Sequence, residues 1–146
     1  MNKLNILFLI LLFVSCNKKI DCEKNLIYRE GLTFYKGRPF TGGCTTLYKN
    51  SNIKSKQTYL NGVDNGEWYF YYENGELETY AKFSNGKRTG EWLYYYNNSS
   101  LKQINFYDNG LKDSVWKKYD ENSKLEWEKI FKNDVLTEQI IYSTYQ

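Results

Sequence analysis

The side chains of this 146-residue chain that could carry chemistry are its glutamates and its three cysteines, since it contains no histidine. Histidine is the most common general acid or base near neutral pH and a frequent metal ligand. Glu67 and Glu91 lie 24 residues apart, but an internal repeat produces this spacing, and solvated partners of lysine are the expected role. Cys22 and Cys44 lack the spacing of zinc ligands. The sequence therefore predicts no catalytic residue, no metal site and no cofactor.

Cys22 and Cys44 are separated by 22 positions and form an even pair once Cys16 is set aside. In an oxidising compartment they could form a disulfide, which the loop-closure estimate values at about 3 kcal/mol. Two free thiols are the alternative. The choice depends on where the protein resides, and the N-terminus bears on that question.

Residues 1–15 have the pattern of an export signal. Lys3 precedes an apolar stretch, residues 4–14, which is too short to cross a bilayer as a helix because such a helix needs about 20 residues. The following Leu12-Phe13-Val14-Ser15-Cys16 resembles the lipobox of bacterial lipoproteins. This resemblance implies cleavage before Cys16, lipid attachment to Cys16, and a membrane-anchored protein of the cell envelope that faces the periplasm or the exterior. An ordinary secretory signal with an incidental cysteine is the alternative.

Charge and composition exclude one class of partner and favour one class of structure. The chain has 20 Lys and Arg against 17 Asp and Glu, with the signs interspersed, so it lacks the basic stripe that nucleic-acid binding requires. Aromatic residues make up 18% of the chain, with 15 Tyr and only one Pro. Aromatic side chains favour strands, which indicates a β protein.

An internal repeat of 24 residues organises the chain. Equivalent residues recur at this offset: the glycines Gly66 and Gly90, the tryptophans Trp68, Trp92 and Trp116, and the leucines Leu77, Leu101 and Leu125. A repeat of this length is one supersecondary unit that buries its apolar surface by stacking on its neighbours. We predict an all-β fold, an elongated single-layer antiparallel sheet of stacked β-hairpins. Its expected parts are a signal peptide at residues 1–15, a tether and N-terminal cap at 16–34, the array at 35–137 and a C-terminal cap at 138–146.

Each unit is predicted to be one hairpin. In the best-defined unit, residues 68–73 should pair with residues 76–84 across Asn74-Gly75, a sequence that accepts a positive φ at both turn positions. Simple alternation places Leu77, Thr79, Ala81 and Phe83 on one face. Residues 85–90 should form a longer connection to the next hairpin.

The two faces of such a sheet differ in their aromatic residues. One carries the candidate binding residues Tyr69, Tyr71, Leu93, Tyr95 and Tyr119, and the other carries Trp68, Trp92 and Trp116. Tyr and Trp are frequent anchors of protein interfaces, so either face could dock a partner. The rings could equally form the core, an interpretation favoured for the tryptophans. Cys44 occupies the position at which later units have tryptophan.

The segments 61–77 and 85–101, with their recurrent Gly, Trp, Tyr, Asn-Gly and Leu, resemble MORN-repeat variants, in particular the bacterial repeat proteins grouped as YwqK-type antitoxins. Residues 35–42 resemble the opening of such arrays. The resemblance implies a curved, antiparallel sheet of stacked hairpins, and the absence of catalytic-site elements predicts that the protein is not an enzyme. It suggests a protein-binding scaffold whose partner is a protein of unknown identity. Two alternatives remain, an antitoxin or immunity protein that neutralises a toxin and a carbohydrate-binding module that uses an aromatic face.

Overall fold

The computed structural model describes residues 20–142, and these form two antiparallel β-sheets with one short helix. The N-terminal elements are α1 (Cys22–Asn25), β1 (Leu26–Arg29), β2 (Leu32–Tyr35) and β3 (Arg38–Pro39), and β1–β3 form the smaller sheet. The larger sheet contains β4 (Gly42–Leu47), β5 (Ile53–Leu60), β6 (Val63–Asp64), β7 (Gly66–Tyr71), β8 (Leu77–Ser84), β9 (Lys87–Arg88), β10 (Gly90–Tyr95), β11 (Leu101–Asp108), β12 (Leu111–Tyr119), β13 (Leu125–Lys132) and β14 (Val135–Ile141). The predicted fold class is confirmed.

Consecutive strands pair in sequence order, as stacked hairpins require. β7 pairs with β8 from Gly66 opposite Phe83 to Tyr71 opposite Leu77. At the turn, the Tyr72 N–H donates to the Glu76 carbonyl at 2.8 Å, and the Asn74 side-chain oxygen accepts from the Glu76 N–H at 3.0 Å. The predicted hairpin is therefore present. Only Gly75 of the Asn74-Gly75 pair has a positive φ, at +93°, so the expectation of two such residues here was wrong.

The two-residue turn with two positive φ values lies instead at the predicted long connection. Asn85 and Gly86 have φ values of +49° and +77°, and Ser84 pairs directly with Lys87. β9 and β10 both pair with β8 and act as one strand interrupted at Thr89. The connection is thus a second hairpin, which makes the larger sheet a continuous meander.

A β-bulge recurs near the turn of every unit. Phe70 pairs with Thr79, but Tyr71 pairs with Leu77, which leaves Glu78 as an extra residue. Because paired residues share a face, Leu77 lies with Tyr71, on the face opposite Thr79, Ala81 and Phe83. The predicted alternation was therefore wrong at Leu77. The register pairs Leu101 with Tyr95 and Leu125 with Tyr119 in the same way.

The hydrophobic core lies on one side of the larger sheet. We call this side the tryptophan face, because it carries Trp68, Trp92 and Trp116, and its buried members include Ala81, Tyr107 and Phe131. The aromatic rings on this side form a continuous row with neighbouring centroids 4.8–6.0 Å apart. The row runs through Tyr35, Phe40, Tyr59, Trp68, Phe83, Trp92, Tyr107, Trp116 and Phe131. The opposite side, which carries Tyr69, Tyr71, Leu93, Tyr95 and Tyr119, is called the tyrosine face.

Hydrogen bonds tie successive units together at equivalent positions. The indole N–H of Trp92 donates to the Lys82 carbonyl at 3.1 Å, and Trp68 and Trp116 make the equivalent bonds. At the turn edge, the Tyr72 hydroxyl donates to the Tyr95 carbonyl at 2.7 Å, and Tyr48 and Tyr96 repeat this contact. Each unit therefore satisfies backbone carbonyls of its neighbour, which a single hairpin could not do.

The N-terminal elements close the β4 end of the larger sheet. The Asp21 side chain caps α1 by accepting from the Glu23 and Lys24 N–H groups, and the Thr45 N–H donates to the Ile20 carbonyl at 2.8 Å. The smaller sheet docks at Gly62, whose carbonyl accepts from the Thr33 N–H at 2.7 Å. The predicted array boundary at residue 35 falls within β2, and β14 enters the predicted C-terminal cap.

Candidate functional site

The structure gathers the five candidate binding residues on the tyrosine face. Tyr69 pairs with Tyr80, and Tyr80 pairs in turn with Leu93, so these side chains lie side by side across three strands. Tyr71, Tyr95 and Tyr119 follow at the next same-face position of β7, β10 and β12. All five candidates are half-buried, and no second layer of the described chain covers them. The tyrosine face is therefore an uncovered surface that is rich in aromatic side chains.

Glu67 provides a fixed anionic group on this face. Its carboxylate accepts hydrogen bonds from the Tyr69 hydroxyl at 2.6 Å and the Tyr80 hydroxyl at 3.0 Å. These bonds stabilise the charged form, so they hold the pKa of the Glu67 carboxyl below its usual value. The same carboxylate raises the pKa of Tyr69 to about 12. The main partners of Glu67 are thus tyrosines, whereas lysine partners had been expected, and both Glu67 and Glu91 are exposed.

The tryptophans serve a different purpose from the tyrosines. Trp92 and Trp116 are only 8% and 7% exposed and belong to the core, and Trp68 packs against them while remaining half-buried. The repeat glycines adjoin them, with Gly66 and Gly90 at φ values of +84° and +61°. Over most of its length, the tryptophan face is therefore buried in the hydrophobic core.

The cysteines lie at the N-terminal end of the array. Cys22 and Cys44 form a disulfide in the structure, with their Cα atoms 5.2 Å apart, and Cys44 is buried at 4% exposure. The disulfide links α1 to β4. Cys16 and the signal segment, residues 1–15, lie outside the described residues.

A pocket that the repeat pattern did not predict lies on the tryptophan face, with Cys22 and Thr46 among its lining residues. It encloses about 550 Å³ between the N-terminal elements and β5–β7. The equivalents of Phe70 and Thr79 one unit earlier are Thr46 and Ser55, which are small, polar and only 4% exposed. Cys44 and Thr46 thus stand where the next unit has the large Trp68 and Phe70, and this loss of side-chain volume accounts for the pocket. The signal was present in the sequence as the loss of aromatic residues near Cys44.

Asp64 and Tyr59 form the electrostatic centre of this pocket. They are paired across β5 and β6, and both line the cavity together with Trp68. Burial raises the pKa of the Asp64 carboxyl. Burial, with the nearby Asp64 charge as the second cause, raises the pKa of Tyr59 to about 12. A half-buried carboxylate beside aromatic rings is suited to binding a cation.

Within residues 20–142, no three His, Cys, Asp or Glu side chains are placed to hold a metal ion. No helix in this part of the chain is long and apolar enough to cross a membrane. The site chemistry of the described residues consists of aromatic surfaces, one disulfide and two well-placed carboxylates, Glu67 and Asp64, one on each face.

The stacked two-stranded units with a recurring tryptophan define a β-hairpin repeat protein. Two segments, residues 64–85 and 88–109, match the family described as MORN repeat variant. They correspond to successive units 24 residues apart and cover β7, β8, β10 and β11 in full, with one residue each of β6 and β9. The two central units of the chain are thus similar to MORN-variant repeats. No curated protein matches the chain.

Proposed function

We propose that the protein is a non-enzymatic repeat scaffold that docks a partner protein on its tyrosine face, and that a lipid on Cys16 anchors it in the bacterial cell envelope. The observation that supports this proposal best is the asymmetry of the two faces. The tryptophan face is packed, whereas the tyrosine face displays half-buried Tyr69, Leu93 and Tyr95 with no covering layer in the described chain. Tyrosine contributes a large contact area at low entropic cost, which suits an interface.

The charges of the tyrosine face favour a protein partner. Glu67 lies opposite Lys82, and Lys117 forms an ion pair with Glu128 at 2.6 Å, so the charges largely balance. An anionic membrane surface or a nucleic acid would need a cluster of uncompensated lysines and arginines. A largely neutral protein surface with aromatic and aliphatic side chains fits this face better.

The point of attachment supports the anchoring part of the proposal. The described chain begins at Ile20, which is hydrogen-bonded to β4, and the Cys22–Cys44 disulfide fixes the chain there. A lipid on Cys16 would therefore hold the sheet at its β4 end and leave the tyrosine face accessible. The disulfide also fits an oxidising compartment.

The docking face can be tested by site-specific photo-crosslinking in cells. A photoreactive residue at Tyr95 should cross-link one defined envelope protein, and the Leu93→Lys variant should reduce this cross-link. Val135, which is 63% exposed at the edge of the sheet, provides the control in a Val135→Lys variant. Binding of the identified and purified partner should then be weakened by Leu93→Lys and not by Val135→Lys. Equal binding by both variants, with both folded, would refute docking on the tyrosine face.

The anchor is tested separately by palmitate labelling. Wild-type protein should incorporate the label and fractionate with membranes, and the Cys16→Ala variant should do neither. An unlabelled wild type would show that residues 1–15 are an ordinary secretory signal, and the docking proposal would be unaffected.

A further inference from the structure

The tryptophan face carries a cation at the same position in two successive units. The Arg88 guanidinium lies 4.8 Å from the centre of the Trp92 ring and 5.2 Å from that of Tyr107. Twenty-four residues later, the Lys112 ammonium lies 5.0 Å from the centre of Trp116 and 5.1 Å from that of Phe131. Each cation thus covers the tryptophan of its own unit.

In the preceding unit, Asp64 occupies this position. It lies opposite Tyr59 just as Arg88 lies opposite Phe83, so the strand geometry is the same and the sign of the charge is reversed. Among residues 20–142, no lysine or arginine lies over Trp68, whereas the rings of the other three tryptophans each have one. Trp68 is accordingly half-buried, unlike the covered Trp92 and Trp116.

The uncovered ring faces the pocket described above. Its walls include Trp68, Phe70, Tyr59 and Tyr28, and Asp64 lies among them. Lys54 at its rim is paired with Glu23 at 2.9 Å, so it leaves the Asp64 charge uncompensated. The Asp64 carboxylate forms no ion pair and accepts no side-chain hydrogen bond within the described residues. The pocket thus combines aromatic walls with one carboxylate that no side chain of the described residues neutralises.

We propose that this pocket binds the ammonium group of an organic cation, with Asp64 as the counter-ion and Trp68 as an aromatic wall. The ligand supplies the cation that Arg88 and Lys112 supply to the next two units. Aromatic rings that surround a cation recognise primary and quaternary ammonium groups in this way, and the cavity volume lies in the usual range for small ligands. A neutral sugar would use the rings but would gain nothing from the carboxylate. This inference does not depend on the proposed docking function.

Paired ligands that differ only in charge test the proposal. Choline is compared with the neutral 3,3-dimethyl-1-butanol, and N-acetyl-lysinamide with N-acetyl-norleucinamide. Each is titrated into the whole chain in a non-ionic detergent, and the indole N–H resonance of Trp68 is followed by NMR. At least one cation should bind about tenfold or more tightly than its neutral counterpart. The first pair reports a free quaternary amine, and the second reports a lysine side chain of a partner.

Three variants localise the effect. Asp64→Asn should weaken cation binding about tenfold. Asp64→Arg should abolish it, because the new side chain covers Trp68 from within, and this variant should remain folded since the neighbouring unit already has that arrangement. Glu67→Gln removes a carboxylate of the opposite face and should leave binding unchanged. Equal binding of cations and neutral counterparts, no binding of either cation, or cation binding that survives Asp64→Asn would each overturn the proposal.

Discussion

Replacement of Arg88 by methionine tests how the cations stabilise the tryptophan face. The guanidinium lies over two rings, Trp92 and Tyr107, and its Nη1 donates to the Tyr107 hydroxyl at 3.1 Å. Arg88 is exposed, so each cation–π contact should contribute about 0.5–1 kcal/mol. The hydrogen bond adds about 1 kcal/mol. Methionine retains an apolar stem over the rings, and the expected loss of stability is therefore about 2 kcal/mol.

The measurement is urea unfolding followed by tryptophan fluorescence, with a thermal melt in parallel. A loss of about 2 kcal/mol should lower Tm by roughly 5–10 °C in a domain of this size. Lys87→Met is the matched control, because Lys87 neighbours Arg88 on β9 and is exposed. It should change stability by less than about 0.5 kcal/mol. If Arg88→Met were as stable as Lys87→Met, the cation would not stabilise the row of rings. Asp64 would then not mark a tryptophan that lacks a stabilising cation.

Three further predictions concern the N-terminal end and the tyrosine face. Gly62→Ala should lower thermal stability more than Gly86→Ala. Both glycines have φ near +80°, but a Cβ added at Gly62 would lie 3.0 Å from the Thr33 carbonyl oxygen, whereas the nearest atom at Gly86 is 3.7 Å away. Equal losses of stability would contradict the tight docking of the smaller sheet. Cys44→Ala, or reduction of the wild type, should lower the free energy of unfolding by about 3 kcal/mol, the loop-closure value for residues 22–44, and a dithiol-insensitive wild type would count against a disulfide in solution. The pKa of Glu67, measured by NMR titration, should be below the usual value and should rise in Tyr69→Phe, because the Tyr69 hydrogen bond is the main cause of the lowered value. The resulting stabilisation is present above the unfolded-state pKa and is lost as the pH falls through the folded-state pKa. An unchanged Glu67 pKa in that variant would show that the Tyr69 hydroxyl does not hold the carboxylate.

The repeat made the hairpins and the role of the tryptophans predictable, because a constant offset of 24 forces equivalent residues into equivalent environments. The bulge was not predictable from alternation alone, since one extra residue inverts the face of everything beyond it. A signal for it existed nonetheless. The extra residue is charged in every unit, namely Lys54, Glu78, Lys102 and Glu126, whereas a residue facing the packed rings would be apolar.

The turn chemistry was misassigned for a related reason. The repeat contains two Asn-Gly or Asn-Ser sites per unit, and composition does not show which of them closes a two-residue turn. In the structure, Asn85-Gly86 forms that two-residue turn. Asn74-Gly75 lies in a longer turn, in which the Asn74 side-chain oxygen accepts a hydrogen bond from the Glu76 N–H. The strand β1 and all of β2 except Tyr35 lie outside the region where the 24-residue offset is visible, so the repeat could not indicate them.

Two aspartates replace the residues that other units have at the same position. Asp120 is explained by its place at the end of the repeat array, whereas Asp64 is not. Asp120 replaces the tyrosine whose hydroxyl would reach a further unit, and its carboxylate instead accepts from the Asn122 and Lys124 N–H groups at 2.9 Å. That change is explained by its own turn. Asp64 replaces a cation over a tryptophan, and no donor within the described residues compensates its carboxylate. Burial disfavours the charged form of Asp64, so the proposed cation would stabilise that charge, and Trp68 is the ring that such a cation would cover.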